Sequence, residues 1–103
     1  MDTAAAPDAR SIAMKRALWR AHHRGTREAD LVVGGFADRY LATLDAGGFA
    51  WFETLLEEQD VDILAWAFGT ATPPPALDGP LMQRLKALDF ITTPLVQPAP
   101  PTP

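Results

Sequence analysis

Apolar residues in this chain recur every three or four positions, and no segment alternates apolar and polar residues as a half-buried strand does. Phe36, Tyr40 and Leu44, for example, follow the period of an amphipathic helix with one apolar face. Glycine, aspartate or proline interrupts the pattern at short intervals. The spacing predicts helices over about 10–23, 27–44, 45–59, 60–69 and 78–89. Because short connections favour antiparallel neighbours, we predict an all-α fold, a small antiparallel four- to five-helix bundle.

Local residue types predict how these helices begin and end. Gly25 follows the first helix, where a residue tolerant of positive φ is favoured. Thr26, Asp45 and Asp60 are predicted N-caps of the second, third and fourth helices, and Gly69 is predicted to end the fourth. Gly34–Gly35 lies inside the second helix and indicates either a closely packed neighbour or a kink.

The composition of the ends sets the expected domain limits. Residues 1–9 are small and polar, and 91–103 are rich in proline, so both ends are expected to be disordered. One helical domain is predicted over 10–90. Phe36 and Phe52 are expected in its core, as is Trp66, whereas Trp51 is either a partner contact or a second edge of the core.

The chain lacks cysteine and the short motifs that mark many enzyme and metal sites. The chain has no cysteine, which excludes disulfides, thiol nucleophiles and cysteine-ligated zinc or iron–sulfur sites. His22 and His23 are adjacent and would point about 100° apart on a helix, which suits chelation poorly. No phosphate-binding glycine loop, dinucleotide fingerprint, HExxH or GxSxG sequence occurs. We therefore expect a protein that is not an enzyme and binds no metal.

No sequence feature directs the chain to a membrane. No apolar run approaches the roughly 18 residues that span a bilayer. The first residues lack the basic and apolar regions of a secretory signal. The expected location is the bacterial cytoplasm, without membrane insertion.

Charge is distributed unevenly along the chain, although the net charge is only −4. Residues 10–27 contain six basic residues and no acid, whereas 40–69 contain six acids and no Lys or Arg. Arg16, Arg20 and Arg24 are spaced four apart and are predicted to share one helix face. This basic face could bind a protein or nucleic acid, but the net acidity and the lack of a recognition motif argue against nucleic acid.

The densest polar group of the chain is the turn from His23 to Glu28. It combines guanidinium groups, a glycine and a carboxylate at a helix start. From these residues alone it is either a well-capped joint between two helices or a functional surface.

Three ordered segments resemble the SdhE family of assembly factors. Arg24-Gly25-Thr26-Arg27-Glu28 matches its RGxxE turn, Phe52-Glu53-Thr54-Leu55-Leu56 its F-E-x-L-L stretch, and Asp60 to Trp66 its D-x-D-L-x-x-W helix. The match spans about 15–88. Thr26 and Ala29 stand where larger apolar residues are usual, and Ile63 replaces leucine.

The resemblance implies a non-enzymatic chaperone that binds the flavoprotein subunit of succinate dehydrogenase or fumarate reductase and promotes its covalent FAD attachment. It implies no stably bound cofactor, because the FAD belongs to the partner, and a monomer is expected. Asp60 and Trp66 would be structural. The partner-binding residues implied by the motif are Arg24, Gly25 and Glu28, and position on the same side adds Arg16, Arg20 and Arg27.

Overall fold

The computed structural model describes residues 9–91, which form five α-helices and one short 3-10 turn. The all-α prediction is therefore confirmed. The predicted disordered ends lie outside the described residues, except that Ala9 already belongs to the first helix and Ile91 is described. The helices are α1 (Ala9–Ala21), α2 (Arg27–Tyr40), α3 (Ala46–Leu56), α4 (Asp60–Ala67) and α5 (Pro80–Ala87), with the 3-10 turn at Leu41–Thr43.

Side-chain caps start two of the helices as predicted. The Thr26 hydroxyl accepts a hydrogen bond from the Ala29 amide at 3.1 Å, and the Asp45 carboxylate accepts one from the Gly48 amide at 2.7 Å. Each bond satisfies an amide that the first helical turn leaves without a backbone partner. Gly69, with φ +79°, follows α4 in the left-handed conformation that glycine adopts without steric cost.

Three local predictions are wrong. Gly25 is not in the left-handed region; Gly69, Gly79 and Leu88 are the residues with positive φ in the described part of the chain. The first helix ends at Ala21 rather than at residue 23. The N-cap of α4 is Gln59, and Asp60 is the first helical residue, because its carboxylate is drawn to another part of the chain.

The core is assembled around the second helix. The Phe36 ring is fully buried and stacks on Phe52, with the ring centroids 5.7 Å apart. Phe90 approaches Phe36 edge-on from beyond α5. Trp51 is half-buried against this core and donates its indole N–H to the Leu77 carbonyl at 2.8 Å, so it forms a second edge of the core.

The glycine pair of α2 is explained by close packing. A Cβ at Gly34 would lie 2.5 Å from Nδ1 of His22, and a Cβ at Gly35 would lie 2.9 Å from a ring carbon of Phe90. The helix runs without interruption through both positions. Of the two explanations left open by the sequence, the close neighbour is the one observed.

None of the helices between residues 9 and 91 has the length and apolar character needed to cross a membrane.

Candidate functional site

The turn between α1 and α2 is held by the side chain of Arg24, which points into the protein. Its Nε donates to Asp60 at 2.7 Å, its Nη1 to the Leu56 carbonyl at 3.0 Å, and its Nη2 to the Glu58 carbonyl at 2.8 Å. The side chain is only 10% exposed. The carbonyls belong to the end of α3 and the loop after it, where a cation also interacts favourably with the helix dipole. Arg24 therefore fastens the turn to the α3–α4 junction.

This geometry corrects the predicted basic face. Because α1 ends at Ala21, Arg24 lies outside the helix that was predicted to carry all three arginines, although Arg20 and Arg24 both donate to the Leu56 carbonyl. Arg20 binds Glu57 at 2.7 Å and also donates to the Leu56 carbonyl at 3.3 Å. Two of the three arginines are therefore committed to contacts within the chain.

Gly25 is needed because of a close approach. Its amide donates to the second carboxylate oxygen of Asp60 at 2.6 Å. A Cβ on Gly25 would lie 2.9 Å from that same oxygen, closer than side chains normally allow. The carboxylate cannot easily withdraw, since its other oxygen is bound to Arg24. The absence of a side chain thus lets the turn dock on α4.

Two aspartates outside the RGxxE pattern fix the turn. Asp60 holds Arg24 and Gly25, and Asp30 accepts a hydrogen bond from the Arg24 amide at 2.6 Å. From the sequence, Asp60 was predicted as an N-cap of α4. One sequence signal could have predicted the contact between Arg24 and Asp60, because the two residues belong to two motifs that occur together in the same family.

Glu28 differs from Arg24 and Gly25, the other two residues of the motif, which are both hydrogen-bonded to Asp60. It is half-buried in the first turn of α2, close to the positive end of the helix dipole. Within residues 9–91 its carboxylate forms no hydrogen bond or ion pair. The turn therefore presents one carboxylate from a fixed backbone, and this group is available to a partner.

The remaining predicted site residues, Arg16 and Arg27, are exposed. Neither forms an ion pair with any described residue. Their predicted role in partner binding is compatible with this exposure and stays a prediction. The described residues contain no group of three or more potential metal ligands. The arrangement is suited to recognition, with a rigid turn, one free carboxylate and nearby cations.

Comparison with known proteins relates this geometry to a family. Residues 15–89 match the family model Sdh5, described as flavinator of succinate dehydrogenase. The chain is 34% identical over 71 residues to the "FAD assembly factor SdhE" of Acetobacter pasteurianus, an alignment that covers 69% of this chain and 65% of that protein.

Mitochondrial proteins named "succinate dehydrogenase assembly factor 2" are also similar. The protein from Cryptococcus neoformans is 35% identical over 72 residues, covering 69% of this chain and 41% of the relative. That from Culex quinquefasciatus is 36% identical over 73 residues, covering 69% and 46%. The chain thus spans less than two thirds of the length of each of these relatives.

Proposed function

This chain belongs to the family of succinate dehydrogenase flavinators, and we propose that it promotes the covalent attachment of FAD to the flavoprotein subunit of succinate dehydrogenase. The observation that carries the proposal is the fixed turn that ends in Glu28, within the segment that matches the family model. The FAD is attached to the partner, and we assign this chain no stable cofactor of its own.

The proposed mechanism is conformational. The Arg24–Asp60 contact holds the backbone of the turn, so Glu28 is presented in a defined position before the partner arrives. A protein that binds one conformation of its partner more tightly than the others shifts the population towards that conformation. The chain would favour the flavoprotein state in which the flavin and the acceptor residue of the partner are close together. The bond itself would be made by residues of the flavoprotein.

The proposal also covers a second partner, the oligomeric state and the cellular location of the chain. We extend it to the flavoprotein subunit of fumarate reductase as a second partner of the same surface. We further propose that the chain works as a monomer. Its similarity to a bacterial relative supports the proposal that it works in the bacterial cytoplasm.

The basic segment supports a protein partner better than nucleic acid. Of its six basic residues, Arg10 donates to the Leu44 carbonyl and lies over the Phe49 ring, while Arg20 and Arg24 bind the α3–α4 region. Half of the cations are therefore used within the chain. Sequence-independent nucleic-acid binding gains its affinity from the number of phosphates neutralised, so few contacts imply weak binding.

Reconstitution with purified components tests the proposed function. The apo-flavoprotein subunit is incubated with FAD, with or without this chain, and covalent flavin is measured by fluorescence in a denaturing gel. We expect the chain to accelerate the appearance of the fluorescent band. Equal rates with and without the chain would contradict the proposal.

The Glu28→Ala variant tests the residue in the same assay. Since Glu28 has no hydrogen-bonded or ion-paired partner within the described residues, its removal should cost at most about 1 kcal/mol of stability, from its interaction with the helix dipole, and should reduce covalent flavin severalfold. Asp78→Ala is the matched control, because Asp78 is an exposed carboxylate in the loop before α5 that bonds only its neighbouring amide. Full activity of Glu28→Ala would remove Glu28 from the mechanism.

A further inference from the structure

Helix α1 buries small residues and leaves three large apolar residues exposed, while Met14 is partly buried against the core. Ala17 and Ala21 face the core at 2% and 0% exposure. Ile12 and Trp19 are 44% and 61% exposed. A helix that only packs on its own core would show the opposite distribution. The outer side of α1 therefore has an apolar surface that the folded domain does not use.

The exposed side chains form one continuous strip. Ile12, Arg16 and Trp19 follow one another at intervals of four and three residues, which places them on the same side of α1, and His23 lies two residues beyond the end of that helix. The Trp19 and His23 rings are stacked, with centroids 4.0 Å apart. At the rise of an α-helix the part of the strip from Ile12 to Trp19 is about 10 Å long. Lys15 lies beside it and is exposed.

The charge of this strip is uncompensated. Lys15 and Arg16 form no ion pair with any residue between 9 and 91, and neither does Arg27 at the start of α2. This contrasts with Arg20 and Arg24, which have carboxylate partners at 2.7 Å. The strip thus combines an aromatic centre with cations that have no acidic partner within residues 9–91.

The strip leads directly into the turn already described. His23 is adjacent to Arg24 in the chain, and its Nδ1 lies 2.6 Å from the Trp19 carbonyl. The strip therefore ends at the residue that precedes the RGxxE turn.

We propose that the outer face of α1, defined by Ile12, Lys15, Arg16, Trp19 and His23, is a second contact surface for the flavoprotein. The occupant is a segment of that subunit that offers an apolar depression for the indole, with carboxylates at its rim. Aromatic side chains in desolvated pockets contribute much of the affinity of protein interfaces, and charges at the rim favour association. The inference rests on the proposed function. In it, the outer face of α1 supplies affinity for the flavoprotein, whereas Glu28 acts where the FAD is attached.

Two other occupants fit the charge less well. A symmetric dimer through this face would bring together two copies of the same basic patch, because a two-fold interface pairs a patch with itself. The segment 92–103 of this chain contains no acidic residue that could neutralise the strip. An acidic partner surface supplies the missing counter-charge.

Binding of the full chain to the purified apo-flavoprotein subunit, measured by calorimetry, tests the proposal. We expect Trp19→Ala to raise the Kd by about 30-fold, the size of a strong interface contact. Arg16→Glu should raise it severalfold and weaken its dependence on salt. Phe68→Ala is the matched control, since Phe68 is also exposed but lies at the far end of α4, and its Kd should stay within about twofold of wild type.

The flavinylation assay separates the two surfaces. Trp19→Ala should recover the wild-type rate of covalent flavin formation when its concentration is raised above its own Kd, whereas Glu28→Ala should remain slow at saturation. If Trp19→Ala is defective at saturation but binds normally, the assignment of affinity to α1 is wrong.

The possible results distinguish the inference from the proposed function. If wild type binds and both Trp19→Ala and Arg16→Glu bind equally well, the α1 surface is excluded while the proposed function stands. If wild type does not bind the flavoprotein, both fail.

Sedimentation showing a wild-type dimer that Trp19→Ala disrupts would assign the surface to a second copy. Loss of a salt-sensitive gel shift with DNA or RNA in Arg16→Glu would assign it to nucleic acid. Either result would overturn the proposal.

Discussion

Asp60 accepts hydrogen bonds from both residues that open the RGxxE turn. One carboxylate oxygen binds Nε of Arg24 at 2.7 Å, and the other binds the amide of Gly25 at 2.6 Å. The contact connects the first turn of α4 to a loop 36 residues earlier in the chain. Two segments of the family pattern that are distant in sequence are therefore one structural unit.

Removal of the Asp60 carboxylate should destabilise the fold. Asp60→Ala leaves Arg24, whose side chain is 10% exposed, without its counter-charge, and the Gly25 amide without an acceptor. Breaking a largely buried pair of this kind costs about 3 kcal/mol in free energy of unfolding. Urea denaturation measures the loss. Asp62→Ala, in the same helical turn but exposed, should change stability by less than about 1 kcal/mol, and equal losses would contradict the special role of Asp60.

Substitution of Gly25 tests the close approach of the turn to α4. Gly25→Ala places a Cβ 2.9 Å from an Asp60 oxygen and should cost about 1–2 kcal/mol through displacement of that carboxylate. In the Asp60→Ala background the cost should largely disappear. A matched glycine is Gly47 in α3, where the nearest atom to a new Cβ is 3.7 Å away. Gly47→Ala should stabilise the protein by about 0.5–1 kcal/mol.

The packing of His22 on α2 leads to a double-mutant prediction. Gly34→Ala brings a methyl group to 2.5 Å from Nδ1 of His22, whose other nitrogen lies 2.8 Å from an Asp38 carboxylate oxygen. Displacing this ring should lower the free energy of unfolding by about 1–3 kcal/mol. In a His22→Ala background the same change should be neutral or stabilising, because alanine is favoured over glycine in a helix. Thermal unfolding of the four proteins gives the coupling energy, and additive effects would rule out this contact as the cause.

Tyr40 provides a pH-dependent contact between α2 and the segment after α5. Its hydroxyl donates to both oxygens of Asp89 at 2.9 and 3.1 Å, and this hydrogen bond raises the pKa of Tyr40 above its usual value. Because the pKa is higher in the folded state, the contact stabilises the fold below the unfolded pKa of about 10 and is lost as pH rises through the folded value. Tyr40 is the single tyrosine of the chain, so ultraviolet titration reports it directly.

The comparison variant for this titration is Asp89→Asn. It removes the negative charge and the strong acceptor, so the Tyr40 midpoint should move down towards that of free tyrosine. An unchanged midpoint would show that Asp89 does not cause the shift. Arg39 and Arg84, which lie near the ring, lower the pKa and act in the opposite direction.

Helix positions followed from local information to a large extent. The predicted caps Thr26 and Asp45 and the stop at Gly69 are all observed, because each depends on hydrogen bonds or φ values within a few residues. The fully buried Phe36 and Phe52 were predictable from their helical spacing. The N-cap prediction failed at Asp60, where a group distant in sequence binds the carboxylate. Asp60 was assigned to an N-cap, but it binds Arg24 instead.

The amino-acid sequence by itself determined the helical class, the turn and its family, since these depend on periodicity and on ordered short patterns. Only the tertiary structure decided what each member of the turn does. Arg24 points inward, Gly25 is small to admit Asp60, and Glu28 is left without a partner among the described residues. It also turned Trp19 outward, although its residue type alone favours the core. The reason is physical, because the direction and partner of a side chain are set by elements that approach it from elsewhere in the chain.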